Sequence, residues 1–141
     1  MIIQHLNWLA VAVSAIAYFI LGAIWFNPKV FGTAWMKGHG IAAPTEEDKK
    51  RMPMIMISTF ILCFIGAITL GYFVEVFRFY QVNWRWYSGL KVGLVGGLGF
   101  TGVGIAMNYM YTKKSIKLII IDSSYHIVGM MIAGVIMSVW R

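Results

Sequence analysis

Charged residues are scarce in this chain: 12% of its 141 residues are Asp, Glu, Lys or Arg, against about 25% in an ordinary soluble domain. Acidic residues are the rarest of these, with five in all, while 60% of the residues are hydrophobic. Cysteine is nearly absent, and because Cys63 is the single one, no internal disulfide can form. These shortages exclude a soluble domain, a disordered chain and a disulfide scaffold, and they leave an integral membrane protein.

Four stretches are apolar and long enough to cross a hydrocarbon core of about 30 Å, which takes about 20 helical residues. They cover about residues 8–26, 54–77, 87–111 and 118–140. Backbone groups in lipid must find their hydrogen bonds inside the protein, so each stretch is predicted to be a helix. The sequence therefore predicts an all-α, integral membrane four-helix bundle in which residues 1–141 form one domain.

Basic residues are divided unevenly between the two sides of these spans. Eight of the 12 lie in the connection 27–53 and between the last two spans, and the other four are Arg78, Arg85, Lys91 and Arg141. By the positive-inside rule, the connection 27–53 is predicted to face the cytoplasm, and both termini are predicted to be non-cytoplasmic. The net charge of +7 is then explained by contacts with membrane lipids, and no nucleic-acid partner is expected.

The first span ends in an aromatic turn. Because Pro28 cannot continue the helix, the chain must change direction there. Aromatic residues then follow at helical spacing, which predicts a short helix in the headgroup region within the connection 27–53. The residues assigned to this interfacial turn are Trp25, Asn27, Pro28, Phe31 and Trp35.

The third span carries a stripe of glycines, Gly89, Gly93 and Gly97, at every fourth position. Such small-xxx-small spacing lets another helix approach closely. The stripe indicates packing inside the four-helix bundle or an interface between subunits, and these are favoured over a cavity lined by backbone carbonyls. We expect a homo-oligomer, with a dimer favoured.

Ionisable residues inside a span are functional candidates because they are costly to insert. Asp122 and His126 are four residues apart in the last span and share one helix face. Counting residues inward from the span ends places polar side chains of the other spans at similar depth. The candidate residues for binding a ligand or proton are Asp122, His126, Asn108, Tyr125, Ser58 and Thr59.

Three interpretations of this polar cluster stay open. Asp122 and His126 could form a structural pair, or they could line a polar cavity that opens to the cytoplasm and binds a solute, ion or proton. A metal site is the third interpretation, but two ligands are only part of a set, and His39 is expected in a mobile loop. No metal site is assigned.

Enzyme motifs are missing from the sequence: it has no Gly-rich phosphate loop, nucleophile elbow, zinc-protease helix or CxxC pair. An enzyme is therefore not favoured, and the sequence identifies no cofactor.

A family resemblance rests on two motifs. Trp25-Phe26-Asn27-Pro28 with Phe31, Gly32 and Trp35 follows the first span, and Asp122, Tyr125, His126 and Gly129 lie in the last. With these motifs the chain resembles the bacterial membrane proteins grouped as domain of unknown function 1761. The resemblance implies a small, multi-pass protein of the bacterial inner (plasma) membrane, and it implies no activity.

Two functions are consistent with these observations. The first is binding or permeation of a small solute, ion or proton through a cytoplasm-facing polar cavity around Asp122, His126 and Asn108. The alternative is a structural or accessory membrane protein that binds lipid or a partner helix through the Gly-rich third span.

Overall fold

The computed structural model describes residues 2–42 and 44–140, and every regular element in that part of the chain is helical. Arg141, which was counted for the topology, lies outside the described residues. A 3-10 helix, Ile2–His5, precedes the first α-helix. The α-helices are α1 (Trp8–Trp25), α2 (Thr33–His39), α3 (Glu46–Tyr80), α4 (Trp86–Gly96), α5 (Val103–Tyr111) and α6 (Ile116–Val139).

Four helices are long and apolar enough to cross a membrane. Three of them are α1, α3 and α6, and the fourth runs through α4 and α5 as one helix, Trp86–Tyr111. A π-helical stretch, Gly97–Gly102, joins α4 to α5. The prediction of an all-α chain is confirmed for the described residues, and so is the prediction of four helices that are long and apolar enough to cross a membrane. The side of the membrane on which each terminus lies stays a prediction.

The longest helix, α3, extends beyond its apolar stretch. It has 35 residues and is therefore about 52 Å long, well above a hydrocarbon core of about 30 Å. Thr45 and Asp48 form a reciprocal capping box at its start, which satisfies backbone donors that the first turn leaves free. The helix continues through Pro53, so residues 46–53 of the connection 27–53 are helical.

The central helix is α6, which contacts all five other α-helices. The glycine stripe of the third span lies against it. A Cβ atom added to Gly97 would come within 2.8 Å of the Ile127 Cα, and one added to Gly93 would collide with the carbonyl of Met130. The stripe therefore allows close backbone packing of α4 on α6 within the chain. Homo-oligomer formation stays a prediction.

An arginine ties α3 to the end of α6. The guanidinium of Arg78 donates hydrogen bonds to Glu75 Oε1 and to the carbonyl of Met137, both at 2.6 Å. This contact satisfies a carbonyl in the last turn of α6, where backbone acceptors lack helical partners. We call this side of the bundle the Arg78 end, and we call the opposite side, which carries α2, the α2 end.

Candidate functional site

The aromatic turn at the α2 end holds α1 against α6. The indole Nε1 of Trp25 donates to the carbonyl of Ile121 at 3.1 Å, and its ring packs on Phe31 with centroids 4.9 Å apart. Asn27 caps the π-helical turn Pro28–Gly32 by accepting from the Lys29 backbone N–H at 3.0 Å. These contacts direct the chain from α1 into α2.

Asp122 is buried at the α2 end. The hydroxyl of Tyr109 donates to Asp122 Oδ2 at 2.6 Å, and His39 Nε2 lies 3.7 Å from the same oxygen. The His39 ring packs on Trp35, with centroids 4.5 Å apart. Asp122 is thus enclosed beneath α2 by side chains from two other helices, α2 and α5, as expected for a group that stabilises packing.

The surroundings of Asp122 differ from the expectation in the location of His39 and in the residue that the third span contributes. His39 does not lie in a mobile loop but in α2, with a side chain that is 20% exposed. The polar partner that the third span contributes to Asp122 is Tyr109, whereas the neighbouring Asn108 is exposed. The structure therefore brings neither Asn108 nor the exposed Ser58 to Asp122.

His126 belongs to a second polar group, one helical turn further along α6. Its Nδ1 lies 2.5 Å from the hydroxyl of Tyr18 on α1. Tyr125 packs beside both, with ring centroids 5.3 Å from Tyr18 and 4.7 Å from His126. Gly129 makes room for this group, because a Cβ there would collide with the Tyr18 ring. Asp122 and His126 therefore each bond to a different tyrosine rather than to each other.

A large cavity lies between α3 and α4, whose mutual contact is slight compared with the contact each makes to α1 or α6. We call it the lateral cavity. It holds about 900 Å³, and along α3 its lining extends from Thr59 to Phe77. That distance is about 27 Å at 1.5 Å per residue, which is close to the thickness of a hydrocarbon core.

The wall of the lateral cavity is mainly apolar. The back wall is formed by α6 and by Tyr18, and the rim includes strongly exposed side chains such as Leu62, Val95 and Phe100. Because this rim lies along the spanning helices, the cavity opens sideways, towards the hydrocarbon of a bilayer. Lys91, near the Arg78 end, is the one Lys, Arg, Asp or Glu in its lining.

Three of the six candidate residues from the sequence line this cavity: Thr59, Tyr125 and His126. Asp122, Asn108 and Ser58 do not. Among residues 2–42 and 44–140, no group of three or more His, Cys, Asp or Glu side chains could hold a metal ion.

Tyr18 and Tyr109 were missed as members of the two polar groups. Both are tyrosines inside predicted spans, where a hydroxyl requires a partner. The sequence therefore contains a sign that each tyrosine has a polar partner, but it does not show in which direction each side chain points.

The comparisons with known proteins identify a family and no activity. Residues 9–138 match the profile of a family described as Protein of unknown function (DUF1761). Neither the curated proteins nor the solved structures contain a match. Since the matched region covers nearly the whole chain, this protein belongs to the DUF1761 family of proteins of unknown function.

Proposed function

We propose that this protein binds a lipid-like molecule, which enters from the bilayer and lies in the lateral cavity. The observation that carries the proposal is an apolar cavity of about 900 Å³ whose exposed rim lies along the spanning helices. We also propose the bacterial plasma membrane as its location, in agreement with the resemblance noted from the sequence.

The size and shape of the cavity support a small lipophilic ligand. Ligand pockets usually hold about 300 to 1,000 Å³ and are lined mainly by apolar side chains with a few polar groups. The lateral cavity fits this range, and its length of about 27 Å along α3 suits an extended hydrocarbon chain. Two of its polar groups, Tyr18 and His126, lie on the wall opposite the opening.

The wall chemistry favours this function over a pathway for an ion or solute. Asp122, a candidate for binding a ligand or proton, is enclosed under α2 and does not line the cavity. An ion would lose its hydration in a cavity with this lining and would gain few ligands in return. The lipid-binding function considered from the sequence is therefore better supported, although through the lateral cavity rather than through the glycine stripe.

Filling the cavity tests the proposal. Gly66 lines the cavity and has open space around its missing side chain, since an added Cβ would meet nothing within 4 Å. We expect Gly66→Phe to fold and to retain at least tenfold less co-purified lipid than the native chain. Native mass spectrometry of protein extracted in mild detergent measures the bound lipid directly.

Gly104→Phe is the matched control. Gly104 also has nothing within 4 Å of an added Cβ, but it does not line the cavity. We expect it to retain lipid as the native chain does. Equal lipid retention by both variants would contradict the proposal, and a dimer lost only in Gly66→Phe would identify a second copy of the chain as the occupant.

A further inference from the structure

His126 presents a hydrogen-bond donor on one wall of the lateral cavity, and its contact with Tyr18 determines which ring nitrogen carries the proton. The Tyr18 hydroxyl lies 2.5 Å from His126 Nδ1, and it has no other hydrogen-bond acceptor among the described residues. If Nδ1 donated instead, both the Tyr18 O–H and the Nε2 acceptor would be left without a partner among these residues, so we assign Tyr18 as the donor and Nδ1 as the acceptor. In a neutral imidazole the proton then resides on Nε2. His126 is thereby held in the Nε2–H form.

This Nε2–H has no partner within the part of the chain that the structure describes, although His126 lines the cavity. His126 is ten residues from the start of α6 at Ile116, which is about 15 Å along the helix and half of a hydrocarbon core. An N–H donor at such a depth meets no water, so it is unfavourable without an acceptor. An occupant that brings an acceptor oxygen to the middle of the membrane is therefore bound more tightly than one without it.

That preference distinguishes between classes of lipid. The ester and phosphate oxygens of phospholipids lie in the interfacial region, and only hydrocarbon extends to mid-membrane. An isoprenoid quinone is different, because its ring carries carbonyl oxygens and is apolar enough to enter the hydrocarbon core.

We propose that the lateral cavity binds an isoprenoid quinone, one ring carbonyl of which accepts the hydrogen bond from His126 Nε2–H. This inference rests on the proposed function and names its ligand class. Tyr125 and Phe100 also line the cavity and offer aromatic surface for the ring. The prenyl chain extends along the apolar wall of α3, past Leu70 and Phe73.

Binding of two probes by the full chain in lipid nanodiscs tests this assignment. Decylubiquinone carries the ring carbonyls, and decylbenzene carries a ring and the same alkyl chain without them. Methyl-labelled Met130, whose side chain lines the cavity, reports occupancy by either probe in NMR spectra. Labelled imidazole nitrogens report the hydrogen bond at His126.

We expect decylubiquinone to bind at least tenfold more tightly than decylbenzene and to shift the His126 Nε2–H signal. In His126→Phe, which keeps a ring, quinone affinity should fall to that of decylbenzene, whereas decylbenzene binding should not change. His126→Gln keeps an N–H donor and should recover part of the quinone affinity. It also serves as the test if the phenylalanine variant does not fold.

Two results would overturn the inference in distinguishable ways. If both probes bind equally to the native chain, the quinone assignment fails while the proposed function stands. If neither probe shifts the Met130 methyl signal and no lipid co-purifies, both fail together.

Discussion

A carboxylate at Asp122 lies inside a helix that crosses the membrane, where an unpaired charge costs about 2.5 to 3.5 kcal/mol. Its environment offsets that cost. The Tyr109 hydroxyl donates to it at 2.6 Å, and His39 brings a ring nitrogen to 3.7 Å. The exposed fraction of the whole residue is 7%. At the scale of single residues, then, Asp122 depends on the hydroxyl of Tyr109.

Removing that hydroxyl should destabilise the bundle. We expect Tyr109→Phe to lower the free energy of unfolding by about 1 to 3 kcal/mol, because it leaves a buried acceptor unsatisfied. Tyr111→Phe makes the same chemical change at a side chain that is 87% exposed, and it should have no measurable effect. Unfolding of both variants in detergent micelles gives the comparison; equal stabilities would show that the Asp122 contact contributes nothing.

The sequence predicts the depth of the polar residues around Asp122, but not which of them contact it. Counting from the span ends gives depth, and it placed Asn108 and Asp122 at similar levels. It does not give the direction of a side chain around the helix axis, and one position along, Tyr109 points to Asp122 instead. The contact of His39 depends on the docking of α2 on α6, which no local pattern contains.

At the scale of helices, glycine fixes the separation of α4 and α6. Gly89 and Gly134 face each other so closely that a Cβ on either would collide with the other's backbone. Sequence spacing predicts such a close approach, but it does not say whether the partner helix lies in the same chain. Here the partner is α6, which leaves the side of the third span that faces α3 free to line the cavity.

The sign of a Gly→Ala substitution distinguishes packed from open positions. In a helix, alanine is favoured over glycine by about 1 kcal/mol. We expect Gly104→Ala to be neutral or stabilising, because its added Cβ meets nothing within 4 Å. Gly93→Ala should instead destabilise the protein by about 1 to 3 kcal/mol, because the added Cβ collides with the α6 backbone.

Thermal unfolding of the two variants in the same detergent checks this prediction. If Gly93→Ala were as stable as Gly104→Ala but changed the mass of the assembly, the stripe would serve contacts between subunits instead.

At the scale of the whole molecule, the lateral cavity results from the way the four spans are arranged. Because α6 packs on both α1 and α4, and α3 packs mainly on α1, α3 and α4 are left apart. The π-helical stretch Gly97–Gly102 lies beside the gap and contributes Phe100 and Thr101 to its lining. Interruptions of this kind are frequent at functional sites. Each span looks apolar along its length, so a cavity between two of them was not predictable from the sequence.

Photo-crosslinking measures most directly whether this cavity holds a lipid-like molecule. The native chain in detergent is mixed with one equivalent of a lipid that carries a diazirine midway along its acyl chain. After irradiation, the adducts are mapped by peptide mass spectrometry. We predict adducts concentrated on cavity-lining residues such as Cys63, Thr101 and Met130, and the loss of these adducts in Gly66→Phe. Adducts spread evenly over outward-facing residues such as Ile24 and Met107, and unchanged in that variant, would contradict it.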